Sequence, residues 1–321
     1  SYCDTSALQG SEGEAGRRGN SRYENDCLEK TILENIAMNI GIVGLGLIGG
    51  CLGLDLKALG HRVYGVGRRA ETCTQALNLQ IVDAASTDIA TLRPCEVVFI
   101  CTPIATIVPM VMKLAKVLNS STIITEVGSV KTAIVAEATG HWAQFVGGHP
   151  MSGKSEAGLA AAEPGIFQQR PYVITPVATD RYQTNPSAVS TIEHLAQQLG
   201  SQIYHCSPEA HDRAVAWISH LPVMVSANLI YAALQEPDAE VLKLAQQLAS
   251  SGFRDTSRVG GGNPELGTMM AQYNRDEVLR SLQRYRDAIT ATIEQIESED
   301  WQAIAHQLKT TQAARPFFVS E

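Results

Sequence analysis

Residues 41–50 read GIVGLGLIGG, and the chain continues to HRVYGVGRR at 61–69. The β-branched run at 39–44 predicts a strand, and the apolar spacing over 47–59 predicts a helix. Between them lies Gly44-x-Gly46-x-x-Gly49. In such a turn the first glycine makes the tight bend and the second lets backbone approach a pyrophosphate. The third lets helix and strand pack closely, and the phosphate rests on the helix N-terminus. A tight turn alone would also use glycines. Placed where a strand opens into a helix, the motif predicts dinucleotide binding by Gly44, Gly46, Leu47, Ile48 and Gly49.

The second strand, 61–67, ends in Gly67-Arg68-Arg69 with Thr72 one turn on. A site for NAD usually places Asp or Glu there, to bond the ribose 2′-hydroxyl. A carboxylate would repel a 2′-phosphate, whereas guanidinium groups bind it. Arg68, Arg69 and Thr72 therefore predict NADP; the alternative is two solvated surface arginines.

Further β-branched runs at 96–102, 121–127, 145–150 and 171–176 alternate with helical patterns such as 107–118. That texture predicts an α/β fold, a doubly wound parallel sheet of Rossmann type over 38–204. After about residue 205 strand signals vanish, so 205–318 is expected to form an all-α substrate and dimerisation domain. Its first segment, 207–234, reads as one long helix kinked by Pro222. Residues 1–37 are polar and aperiodic, which predicts a disordered extension.

The 321 residues carry a formal net charge of −8, which argues against a nucleic-acid binder. Seven scattered cysteines without a C-x-x-C pair suggest a reduced compartment and no metal framework. No apolar run approaches the ~18 residues of a membrane span, so a soluble protein is expected. The extension shows no signal-peptide core and is too acidic for a transit peptide, so a cytoplasmic location is expected.

Glu126-Val127-Gly128-Ser129-Val130-Lys131 follows one strand, at the edge where ligands bind in such sheets. Spacing leaves Ser129 open as helix cap or ligand contact. Gly147-Gly148-His149-Pro150 holds a histidine on another strand end, where it can exchange a proton near neutral pH. His211 and His220, nine residues apart on one helix, should face nearly opposite sides and not share a metal. His220 beside Pro222 reads equally as packing or as ligand contact. Arg254 and Arg258 precede the glycine-rich stretch 260–264 and suit a carboxylate substrate, or else form a charged surface turn.

Taken in order, GIVGLGLIGG, CTP, EVGSVK, GGHPMSG, AWISHLPVMVSANLI and SSGFRDTSRVGGGNPELG resemble the prephenate/arogenate dehydrogenase family, and its cyanobacterial arogenate dehydrogenases in particular. The resemblance spans about 38–318. It implies oxidative decarboxylation of arogenate to tyrosine, or of prephenate to 4-hydroxyphenylpyruvate, by a homodimer acting on a small molecule. It implies that His149 accepts the proton of the ring hydroxyl and that Ser129 orients His149 and the nicotinamide. Arg258 would hold a substrate carboxylate, with Arg254 beside it and His220 lining the pocket. Thr102 and Pro103, in CTP, join the cofactor site. A reductase of the same plan acting on a hydroxy acid or imine would need a lysine base, and no lysine motif stands beside GGHPMSG. A regulatory protein that only senses NADP would not need Ser129, His149 and Arg258 together.

Overall fold

The computed structural model describes residues 37–154, 156–179 and 182–319. Nearly all of the expected N-terminal extension, residues 1–36, lies outside the described residues. The first strand, β1 (Asn39–Val43), is buried at four of five positions and leads into α1 (Leu47–Ala58). There follow β2 (Arg62–Val66), α2 (Ala70–Asn78), β3 (Ala84–Ser86), β4 (Val97–Ile100), α3 (Ile104–Leu114), β5 (Ile123–Glu126) and α4 (Thr132–His141). Then come β6 (Phe145–Pro150), β7 (Pro171–Thr175), α5 (Pro186–Gln198) and β8 (Gln202–His205).

These strands form one eight-stranded sheet in the order β3-β2-β1-β4-β5-β6-β7-β8. The order reverses between β1 and β4, which opens a crevice beyond their carboxyl ends. The parallel pairing from β3 to β6 matches the expected fold, because strands buried on both faces read as continuous apolar runs. One departure is β7, which runs antiparallel to β6, with β8 parallel to β7. The apolar run of β7 carries no signal of its direction. Neither β3 nor β8 is evident from sequence patterning, β3 because it is three residues long and β8 because its side chains are mostly exposed.

After β8 the chain is helical. The helix expected over 207–234 is present as α6 (Pro208–Val215), a π-helical turn (Ala216–His220) and α7 (Leu221–Ala233). Ser207 caps its start through its side chain, which accepts from the Ala210 amide at 3.2 Å. Pro222 has no amide to offer the Ile218 carbonyl, and the wider turn takes up the mismatch just before it. By length and composition Pro208–Ala233 would pass for a membrane span, contrary to the sequence expectation. Polar residues break up the apolar runs without lowering the average much. The buried Asp212 and His220 bond to other elements, so the helix is built into this fold.

Next come α8 (Ala239–Leu248), α9 (Ser251–Ser257), α10 (Pro264–Tyr273), α11 (Arg275–Glu297) and α12 (Trp301–Ala314). The α9 segment continues into a 3₁₀ turn, Arg258–Gly261, that lies against α7. Gly260 permits this approach: a Cβ there would stand 2.3 Å from the Ala227 nitrogen. Ser226 stitches the contact, donating to the Thr256 carbonyl at 2.8 Å and accepting from the Gly260 amide at 2.9 Å.

Candidate active site

The turn after β1 has the shape its glycines predict. Gly44 sits at φ +101°, a backbone that L side chains rarely adopt, and a Cβ there would press on the Cys101 carbonyl. A Cβ on Gly49 would collide with the Gly44 carbonyl, whereas one on Gly46 meets nothing within 4 Å. Space is therefore open where a pyrophosphate would approach the first amides of α1, including those of Leu47 and Ile48. Arg68 and Arg69 follow β2, next to this turn, which bonds to β2 through the Gly44 amide and Val66 carbonyl at 2.9 Å. Both arginines are exposed, and neither has a carboxylate partner among the described residues. Thr72 lies in the first turn of α2. Thr102 and Pro103 follow β4 on the same edge, and the Thr102 hydroxyl is buried without a hydrogen-bond partner among the described residues. The Ser129 hydroxyl, after β5, is in the same condition. An open cradle beside buried, unpartnered hydroxyls fits a dinucleotide.

His149, on β6, is 8% exposed. Its Nδ1 lies 2.8 Å from Nε2 of His211, and Nδ1 of His211 lies 2.8 Å from the Asp212 carboxylate. Asp212 also accepts the Lys131 amide at 2.7 Å and the Thr132 amide at 2.8 Å, capping the start of α4. Sequence patterning gives no such role to His211 and Asp212. The available signal is the adjacent His-Asp pair just inside a capped helix. Ser129 was expected to orient His149, but the ring is bonded to His211 and the Ser129 hydroxyl has no hydrogen-bond partner among the described residues.

Lys131 and Glu126, which flank the Ser129 loop in sequence, form a fully buried ion pair. Lys131 Nζ also donates to the Gly148 carbonyl at 2.7 Å, and Glu126 accepts the Gly148 amide at 3.1 Å. The pair thus grips both polar groups of the residue preceding His149, a role that their positions in EVGSVK do not disclose. Glu126 accepts the Gly128 amide as well, at 2.8 Å, and so ties the Ser129 loop to the same strand end.

His220 is fully buried, with Nδ1 3.1 Å from the Asn274 side-chain nitrogen. That nitrogen also donates to the Asp212 backbone carbonyl at 2.8 Å. The expectation that His211 and His220 face opposite sides assumed an unbroken α-helix. The π-turn between them underwinds the helix; His211 contacts His149, and His220 is linked to the Asp212 backbone through Asn274. No metal-binding cluster occurs among the described residues. Burial, and then the nearby charge of Lys131, push His149 well below the ordinary histidine range. Burial likewise pushes His220 down to about 4. Both rings are therefore neutral near pH 7, and a neutral imidazole held at a sheet edge can take a proton.

Arg254 and Arg258 form no hydrogen bond with His149 in the single chain. Arg254 is exposed on α9, paired with its neighbour Asp255 at 3.0 Å, and Arg258 is exposed at the start of the 3₁₀ turn. Segment α9 is a short helix, so the alternative of a charged surface turn does not describe Arg254.

Comparison with known proteins decides the family. The nucleotide-binding domain of prephenate dehydrogenase matches residues 52–205, and the dimerization domain of that family matches 207–310. Prephenate dehydrogenase of Bacillus subtilis is 31% identical over 282 residues, covering 85% of this chain and 74% of that protein. The chain belongs to the prephenate dehydrogenase family. The crystal structure of Synechocystis arogenate dehydrogenase is 48% identical, with a TM-score of 0.79 over 88% of this chain and 100% of that one. Prephenate dehydrogenase from A. aeolicus, solved with hydroxyphenyl propionate and NAD+, shares the fold at a TM-score of 0.83 and 24% identity, covering 89% of this chain and 99% of that one. As a family member the chain is an oxidoreductase working with a nicotinamide dinucleotide, and its second half is of the family's dimerization type.

Proposed function

We propose that this chain converts arogenate to tyrosine and CO₂, with NADP as oxidant, as a homodimer formed through residues 205–318. The observation that carries the substrate choice is the 48% identity to Synechocystis arogenate dehydrogenase over that protein's whole length. Arg68 and Arg69, exposed beside the glycine turn, support NADP through a bidentate grip on the 2′-phosphate.

A bound nicotinamide would supply the hydride acceptor for the ring carbon that bears the hydroxyl. His149 accepts the hydroxyl proton as that hydride leaves. Loss of CO₂ then makes the ring aromatic, and His149 returns the proton to the ring oxygen. Substrate and product thus differ by one hydride and one CO₂, with no proton left over. Glu126 and Lys131 hold the backbone at Gly148, so the base stays aligned during the transfer. Ser129 and Thr102, whose hydroxyls have no hydrogen-bond partner among the described residues, would hold the nicotinamide portion. Arg258 and Arg254 hold substrate carboxylate, and His220 lines the pocket.

The 31% identity to Bacillus subtilis prephenate dehydrogenase favours a second reading, in which prephenate is the substrate and the product is 4-hydroxyphenylpyruvate. Steady-state rates of cofactor reduction with each substrate, paired with NADP or NAD, separate the two. Arogenate with NADP should give the highest kcat/KM, and a preference for prephenate would replace the first reading by the second.

A further inference from the structure

We infer that His211 and Asp212 are a positioning relay that fixes the tautomer of His149 and leaves its Nε2 free to act as the base. The inference rests on the reading of His149 as proton acceptor. Its geometry follows from counting protons along the chain of contacts.

Asp212 already accepts two backbone amides, those of Lys131 and Thr132, and hydrogen bonds hold its carboxyl below the usual carboxylate range despite burial. It is a carboxylate and can only accept. The His211 nitrogen 2.8 Å away, Nδ1, must therefore carry the proton. A neutral imidazole carries one, so Nε2 of His211 offers a lone pair. The atom facing that lone pair, also at 2.8 Å, is Nδ1 of His149, which must donate. The proton of neutral His149 is then used on the His211 side, and its other nitrogen, Nε2, carries the lone pair. The opposite arrangement needs a doubly protonated His211. That arrangement would leave a proton on Nε2 of His149, so the tautomer of His149 separates the two.

The same wiring explains how the proton is held during turnover. When Nε2 takes the hydroxyl proton, the positive charge on His149 is shared through its Nδ1–H with His211 and meets the Asp212 carboxylate. No proton has to leave, and it returns along the same bond to the ring oxygen. An imidazole paired through a second group to a buried carboxylate follows the logic of a serine-protease triad, with one more ring in the line.

The test reads the tautomer directly. In ¹⁵N spectra of histidine-labelled protein without substrate, with His149 assigned by its loss in His149→Asn, Nδ1 should be protonated and Nε2 unprotonated. A protonated Nε2 would overturn the relay. Asp212→Asn presents an amide to His211 and can reverse each donor in turn. It should move the His149 proton to Nε2 and lower kcat by roughly 10²–10⁴-fold with little change in KM for the cofactor. An Asp212→Asn protein with the wild-type tautomer and kcat would also overturn the relay. His211→Gln keeps an acceptor for His149 and should retain kcat within about 10-fold, while His211→Leu should lose roughly 10²-fold. Equal losses in these two, or a more active Leu variant, would reduce His211 to packing. Because the spectra need no turnover, failure of the wild-type protein to oxidise arogenate or prephenate would sink the functional reading while leaving the relay to be judged on its own.

Discussion

Strand β4 is buried at all four of its positions, whereas helices α8, α9 and α12 bury none of their residues in the single chain. Both regions carry large apolar side chains, but only the first covers them. Val97, Val98, Phe99 and Ile100 are covered by neighbouring strands and by helices such as α3. Leu244, Leu248, Trp301 and Leu308 remain open, Leu248 at 70% exposure. A parallel sheet closes its core within one chain because each crossover helix returns over a face of the sheet. Amphipathic helices have no such guarantee, and exposed apolar surface of this extent marks an interaction face. The sheet region is thus complete by itself, while the helical region has faces suited to a second copy.

The largest expected effect falls at the edge of the closed region. His149→Asn removes the base but not the pocket, so kcat should drop by roughly 10²–10⁴-fold. Cofactor binding and molecular mass should stay as they were. A near-normal kcat would take the chemistry away from the sheet edge altogether.

Next in size is a matched pair of substitutions, one in each region. Lys131→Met strands the buried Glu126 carboxylate, and breaking such a pair costs about 3–5 kcal/mol, readable as a lower urea midpoint. Leu248→Asp should leave the fold of each chain intact and shift the mass seen by light scattering from dimer toward monomer. If Leu248→Asp instead unfolded the chain with no monomer appearing, the contrast between the two regions would fail.

Acid should weaken the packing of the helical region around His220. Buried His220 titrates at about 4 in the fold and near ~6.5 when unfolded. Between these values the unfolded chain binds a proton that the folded chain refuses, so stability rises with pH across that window. The contribution is fully present above ~6.5 and is lost as pH falls to about 4, a difference of about 3 kcal/mol. Urea unfolding at several pH values should show the slope, and His220→Asn should reduce it. Some slope will remain, because His149 is depressed in the same direction. An unchanged slope in His220→Asn would place the acid sensitivity elsewhere.

The smallest expected effect is at the rim of the closed region. Arg68→Ala should raise KM for NADP by about 10-fold, on the order of one charge-assisted contact, with KM for NAD nearly unchanged. Equal changes in both constants would remove Arg68 from the 2′-phosphate reading.

Local patterns in the chain disclose the glycine turn, the strand ends bearing Ser129 and His149, and the change to helices near residue 205. A tight turn demands glycine, a strand buried on both faces demands a continuous apolar run, and a helix start demands a cap. Each requirement leaves its mark within a few residues, so the sequence by itself determines these features. What it does not determine depends on where distant segments meet. The direction of β7 is set by how the chain leaves β6, about which its own apolar run is silent. The helical phase of His211 against His220 depends on the π-turn ahead of Pro222. The contact of His149 with His211 joins residues 62 apart in the chain, and the Asp212 cap on α4 joins residues 80 and 81 apart. Hydrogen-bond donors and acceptors are named by the sequence, but their pairing is decided only when packing brings them within about 3 Å and removes the water that would otherwise satisfy them.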